Sequence, residues 1–254
     1  MAMPTLIYCA HGNRQMMEPA IAAGFRCGSR LPGTTYHPLY FADQDWRRPN
    51  RAAYMAALAL HRPTMATVLD FEREEQLSEV LAWSEEAAQY VEQIVIVPKA
   101  FGCIGMLPRR VGRADVVLGY SVPTQHGGTD VPTWEFDGWP VHLLGGQPQH
   151  QMRLWHYLNV ESADGNYSSR MATQFCKFWV PKTGTGKTLY WKHLTGYGRD
   201  AIYTAFAISC ANIMTAWRAL TESNQGFHLT GEQADQQSTF GFGDIAPEPP
   251  AGEP

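Results

Sequence analysis

Eight short apolar runs, each leaving through a polar or glycine-containing turn, constrain this chain most. They cover residues 5–10, 25–28, 65–69, 94–97, 116–118, 141–144, 160–163 and 175–180. None alternates polar with apolar residues, as expected of strands buried on both faces of a parallel sheet. Helical patterns or long loops separate them. Residues 18–23 read as the end of a helix that Gly24 caps. Residues 51–61 are Ala-rich, and 74–90 are amphipathic, with Leu77, Val80, Leu81 and Ala88 on one side. Pro148 opens a helix that runs to about Leu158. Another starts near Tyr167, and 201–220 form a closing helix.

Eight such units in about 220 residues predict a single α/β domain, a (β/α)8 TIM-type barrel. A doubly wound sheet is the alternative, but it usually manages with fewer strands. The barrel is expected over residues 1–222, with long loops at 31–50 and 122–138 on its catalytic rim and a C-terminal helix. The first loop is too long for a plain connector, which suggests a lid or binding role. Residues 223–254 are polar, rich in Gly, Gln, Pro and acids, and read as a disordered tail.

Composition narrows the class further. Hydrophobic residues make up 44% and aromatics 12%, which suits a globular chain. No apolar run approaches a membrane span, and no basic segment precedes an apolar one at the N-terminus. A cytoplasmic protein is the default expectation. The five cysteines include no Cys-x-x-Cys pair, so free thiols are expected rather than a zinc knuckle or a redox pair. The net charge of −4 argues against a protein that coats nucleic acid through bulk charge. Two local basic clusters remain, Arg47, Arg48 and Arg51, and Arg109, Arg110 and Arg113. Either can face phosphates, and either can be solvated loop arginines.

The stretch Val-Glu-Ser-Ala-Asp-Gly-Asn at 160–166 carries the chemistry best. Asp164 sits at a strand exit, Gly165 lets the chain turn, and Asn166 can cap the next helix. Alone, Asp-Gly-Asn is equally a turn and a cap. In a barrel, however, the residues just after each strand share one rim. That rim would gather His11, Asn13, Arg30, Asp70, Glu72, Lys99, Tyr120, Gly145, Gly146 and Asp164. Asp70 and Asp164 come from non-adjacent strands, so one can act as nucleophile or base while the other binds or protonates a substrate group. Gly145 and Gly146 allow a flat ligand to approach the backbone.

Three motifs are set aside. Gly184 to Thr188 looks like a phosphate loop, but Pro181 stands where that loop needs its first glycine. The nine histidines form no His-x-His or His-x-x-x-His pair, so no metal site is expected. Asn166-Tyr167-Ser168 fits a glycosylation acceptor only by chance when no signal peptide is seen.

The order of motifs resembles the tRNA-guanine transglycosylase barrel, and most of all its compact phage and bacterial relatives that place 7-deazaguanines in DNA. In that family an aspartate after a middle strand binds the base, a glycine-rich exit follows a later strand, and the next strand delivers a nucleophilic aspartate. Val68-Leu69-Asp70, His142-Leu143-Leu144-Gly145-Gly146 and Ser162-Ala163-Asp164 occupy those places in that order. Val117-Leu118-Gly119-Tyr120 falls where the family has another base-contacting glycine strand. The resemblance runs over roughly residues 5–180.

Two features depart from the family. The clustered cysteines and histidine of the zinc site in its tRNA enzymes are missing here, which points to DNA over tRNA. Val97-Pro98-Lys99 stands where the family has a glutamine-glycine motif. The resemblance implies double displacement: Asp164 attacks C1′ of a deoxyguanosine, guanine leaves, and a 7-deazaguanine takes its place. Asp70 would accept from the base's N1–H and amine. His11, Asn13, Lys99, Tyr120, Gly145, Gly146 and Asn166 would line the substrate site. Arg47, Arg48, Arg109 and Arg110, with the aromatic loop 36–46, would contact DNA. No zinc and no cofactor beyond the 7-deazaguanine co-substrate is implied, and the setting would be a bacterial or phage-infected cell. The residues alone leave two alternatives open. One is a glycoside or nucleoside hydrolase working with Asp70 and Asp164. The other is a non-enzymatic nucleic-acid-binding barrel.

Overall fold

The computed structural model describes residues 2–9, 13–35, 38–124, 128–181, 190–196 and 198–223. Eight parallel strands form the barrel: β1 (Thr5–Cys9), β2 (Arg26–Leu31), β3 (Phe41–Gln44), β4 (Met65–Phe71), β5 (Gln93–Pro98), β7 (Ala114–Ser121), β8 (Val141–Leu144) and β9 (Val160–Gly165). Neighbours run β5-β4-β3-β2-β1-β9-β8-β7, and β5 also pairs with β7, so the sheet closes on itself. The fold is a TIM-type barrel. A short β6 (Arg110–Val111) pairs antiparallel with the start of β7.

Helices α1 (Arg14–Ala23), α2 (Arg51–His61), α3 (Leu77–Ala87), α4 (Pro148–Leu154) and α5 (Tyr167–Phe175) cover the outside. Among the described residues no α-helix follows β2, β5 or β7; loops cross there instead, with single 3-10 turns after β5 and β7. Gly24 caps α1 in the left-handed region at φ 109°, donating to Ala20 and Ile21 carbonyls, and Pro148 opens α4, both as the sequence suggests.

One strand assignment is corrected. The run at 175–180 does not close the barrel. Its β10 (Lys177–Trp179) pairs antiparallel with β11 (Trp191–His193) in a separate hairpin. The missing barrel strand is β3, inside the stretch expected to be one long loop. Only four residues long and half polar, it carries too little apolar signal to stand out. The expected tail from 224 onward lies outside the described residues, and α6 (Arg199–Ser223) ends at that boundary.

Strand alternation sorts the side chains into two cores. Ile7, Phe41, Met65, Val95, Val97 and Val117 fill the barrel interior. The opposite faces of the strands pack on the helices. Gly119 belongs to the interior: a Cβ there would lie 2.7 Å from Val97 and 2.9 Å from Leu144, so the residue must be glycine for the strands to close. It does not line the cavity described below, which removes it as a base contact.

The 25-residue α6 lies against α1, α5 and β10 and buries Phe206, Cys210, Ile213 and Trp217 along one side. Phe206 is fully buried and its ring lies 4.7 Å from that of Tyr8 on the outer face of β1. Phe206→Ala is expected to cost about 3–5 kcal/mol in urea unfolding, from lost burial and the cavity left behind.

Candidate active site

The C-terminal ends of the strands surround one cavity of about 600 Å³. Its size falls within the range of small-molecule sites. Asp164 stands on its wall, at the inward-facing end of β9. The backbone N–H of Gly145 donates to Asp164 Oδ1 at 3.0 Å. Gly145 and Gly146 reach this geometry with φ of 66° and 80°, a left-handed turn that side chains resist. A Cβ on Gly146 would also sit 2.4 Å from Val122. Gln151 of α4 ties the two exits together, its Nε2 donating to the Gly145 and Asp164 carbonyls at 2.7 Å each.

A second carboxylate shares this wall. Asp43, from the overlooked β3, also lines the cavity. Burial, and then the negative charge of Asp164, push its carboxyl up to about 7, against the pull of Arg30 and a hydrogen bond from Thr67. Thr67 Oγ1 donates to Asp43 Oδ1 at 3.2 Å and accepts from the Gln44 N–H at 2.8 Å. Arg30 stands 3.8 Å from Asp43 and 4.0 Å from Asp45, close enough to bias both without a tight pair. Burial and the like charge of Asp164 together favour the protonated form of Asp43 up to near neutrality. Cys9 completes the cluster. Burial, with both carboxylates beside it, raises its thiol well above the ordinary range, and the thiol hydrogen-bonds Asp164.

Asp70 leaves β4 after a register shift between Thr67 and Asp70 and lines another part of the cavity. Burial raises its carboxyl, while Lys99 opposes this and Glu72 adds to it. Lys99 Nζ lies 3.9 Å from Asp70 and donates to Ser121 Oγ at 2.7 Å. The lining also holds Glu72 and Asp130, so five carboxylates face two cations, Arg30 and Lys99. Such a wall favours a ligand that presents hydrogen-bond donors.

The structure brings together Arg30, Asp70, Glu72, Lys99, Gly145, Gly146, Asp164 and Asn166 at this cavity. Asn166 occupies the position before α5, but its side chain makes no capping bond. Asn13 is exposed and caps α1, accepting from the Met16 N–H. It does not line the cavity. Tyr120 is corrected as well: alternation points it outward from β7, where it is buried against the Phe136 ring. His11 lies outside the described residues.

The two arginine clusters separate. Arg47 and Arg48 are exposed beside Trp46, which lines the cavity mouth and stacks with the Arg47 guanidinium at 5.0 Å. Arg51 instead pairs with Glu86 of α3 at 2.8 Å. Arg109, Arg110 and Arg113 sit by the start of β7. The rim is at its far end, roughly 20 Å away at about 3.3 Å per residue. There Arg109 stacks on Trp139 at 3.5 Å, Arg110 meets Asp115 at 3.4 Å, and Arg113 donates to the carbonyls of Ala88 and Gln89 that end α3. These contacts hold the β6–β7 turn together and fix it to the barrel's lower end.

Sequence reasoning missed Asp43, Cys9, Gln151 and His142. One signal was present for Asp43. Ala42-Asp43, Leu69-Asp70 and Ala163-Asp164 repeat the same pattern of an apolar residue followed by Asp at a strand exit.

Among the described residues no group of three His, Cys, Asp or Glu gathers as a metal site, and no helix is long and apolar enough to cross a membrane. Residues 20–218 match a family of unknown function (DUF6610). No curated protein and no solved structure matches the chain.

Proposed function

We propose, for a chain that belongs to this family of unknown function and takes no chemistry from that membership, that the barrel exchanges guanine in DNA for a 7-deazaguanine through a covalent bond to Asp164. One observation carries the reading. Asp164 and Asp43, whose carboxyl is pushed up to about 7, share one wall, and Asp70 lines the same cavity. The motif order that resembles guanine transglycosylases supports the same chemistry.

In the first half-reaction Asp164 attacks C1′ as the N9–C1′ bond breaks, and Asp43 gives its proton to the departing guanine. In the second, Asp43 takes the N9 proton of the incoming 7-deazaguanine. That base then attacks C1′ and releases Asp164. The proton returns to where it began, so the cycle needs no external acid or base. Asp70 accepts from the base's N1–H and exocyclic amine, in keeping with the acidic wall. The nucleotide must leave the duplex to reach the cavity. Trp46, Arg47 and Arg48 at its mouth are placed for a base face and phosphates.

The pair Asp43 and Asp164 could also serve water as the acceptor, a glycosidase reading. Purified protein incubated with DNA and isotopically labelled guanine separates the two. Label entering DNA, then displaced by 7-cyano-7-deazaguanine, is the expected result. Abasic sites without incorporation would establish hydrolysis instead, and label entering only tRNA would move the substrate. Binding of DNA with neither reaction would leave a binding barrel.

The arginines give an independent check. Arg47→Ala and Arg48→Ala are expected to weaken oligonucleotide binding and each lower the salt slope by about one. Arg109→Ala and Arg110→Ala should change neither.

A further inference from the structure

We infer that His142 is a positioning residue for Asp164: from beneath the cavity it points an Nε2–H at Oδ1 and leaves Oδ2 as the attacking oxygen. This rests on the reading of Asp164 as the nucleophile. His142 lies on β8 and is fully buried. Its Nδ1 is 2.8 Å from Ser162 Oγ. Its Nε2 is buried without a hydrogen-bond partner and lies 3.5 Å from Asp164 Oδ1. Ser162 and Asp164 are two residues apart on β9, so both point inward at the same ring. The other neighbours are apolar: the Phe41 ring lies 4.7 Å from the imidazole, and Met65 Sδ lies 3.9 Å from Ser162 Oγ.

The tautomer follows from these contacts. A proton on Nδ1 would turn the Nε2 lone pair toward a carboxylate in a dry interior, which is repulsive. A proton on Nε2 gives that carboxylate a donor and leaves Nδ1 to accept from the Ser162 hydroxyl. The chain Ser162 to His142 to Asp164 is then consistent from end to end. At 3.5 Å the last link is long, as such links often are before substrate binds. Oδ1 also accepts from the Gly145 N–H. It is thus engaged by both the His142 and Gly145 donors, and Oδ2, which neither of these two meets, is the oxygen offered to C1′; the Cys9 thiol is a third donor to the same carboxylate. The same two donors stabilise the carboxylate when it departs in the second half-reaction.

Two substitutions test this. Gln can place an amide N–H where Nε2 stands, whereas the amide of Asn reaches only the Nδ1 position. His142→Asn is expected to lower kcat roughly ten- to a hundred-fold with KM unchanged, the usual weight of a hydrogen bond to a charged group. His142→Gln should recover to within a few-fold of wild type. Equal losses in both variants, or a loss confined to KM, would overturn the role.

A second readout does not depend on activity. In histidine-labelled ¹⁵N NMR, the imidazole signal that vanishes in His142→Gln should be the Nε2–H tautomer, and it should shift in Asp164→Asn. An Nδ1–H tautomer, or no shift, would overturn the inference. If no base exchange is found while both NMR results hold, the transglycosylase reading fails and the His142–Asp164 coupling stands.

Discussion

Asp164→Asn is expected to abolish the proposed base exchange, a loss of about four orders of magnitude or more, while the barrel stays folded and any DNA binding is retained. The amide oxygen can accept from the Gly145 N–H in place of Oδ1, so the turn that leads from β8 into α4 keeps its hydrogen bond to the end of β9. Gln151 bonds only backbone carbonyls here and is unaffected. What is lost is an anionic oxygen able to form the glycosyl ester, and removing a nucleophile leaves only the contribution of binding and orientation. Denaturing gels of protein mixed with guanine-containing oligonucleotide should show a covalent adduct for wild type and none for Asp164→Asn. A variant that retains a tenth of the exchange rate would remove Asp164 from the chemistry.

Asp43→Asn is the second large effect, a loss of about 10²- to 10⁴-fold, the span of general acid–base catalysis. Its pH dependence is the sharper test. Asp43 must be protonated to release guanine, and its carboxyl lies at about 7. The rate of adduct formation should therefore fall as pH rises through 7 in wild type, and that limb should vanish in the variant.

The same substitution should raise stability above neutral pH. An unfolded Asp titrates near 3.9 and the folded one at about 7, so the folded state holds the proton more tightly. Stability associated with Asp43 is fully present below about pH 4 and is lost as pH rises to 7. Asp43→Asn removes that penalty, so it should gain stability at pH 8 and little at pH 4. The side chain keeps 30% of its exposure, and solvent screening holds the gain to the order of 1–2 kcal/mol. Urea unfolding at the two pH values measures it. A variant less stable at pH 8 would mean that Asp43 is paired, not repelled.

The unequal legibility of the site has a physical source. Asp70 follows the apolar run 65–69, and Asp164 stands directly before a Gly-Asn turn, so their place at a strand exit could be read directly. Asp43 ends a four-residue strand in which Asp43 and Gln44 are themselves polar. A strand whose last inward position faces a cavity rather than a core loses the pattern that would announce it. His142 is hidden for the opposite reason: it sits in an otherwise apolar strand and reads only as part of the run leading to Gly145 and Gly146. Tyr120 erred in the opposite direction. A strand exit gives no parity, and one residue of register separates the cavity from the helical layer.

The sequence by itself determined the barrel class, the capping of α1 by Gly24, the start of α4 at Pro148 and the position of Asp164 at a strand end. These depend on local chemistry: strands covered on both faces are apolar whatever their partners, and glycine and proline act on their own backbone. Tertiary structure decided which side chains meet. Asp43 and Asp164 are more than a hundred residues apart in the chain, on strands separated by β2 and β1 in the barrel. Only closure of the barrel puts their carboxyls on one wall. Only there do burial and the charge of Asp164 act together on Asp43 and hold its proton up to near neutral pH.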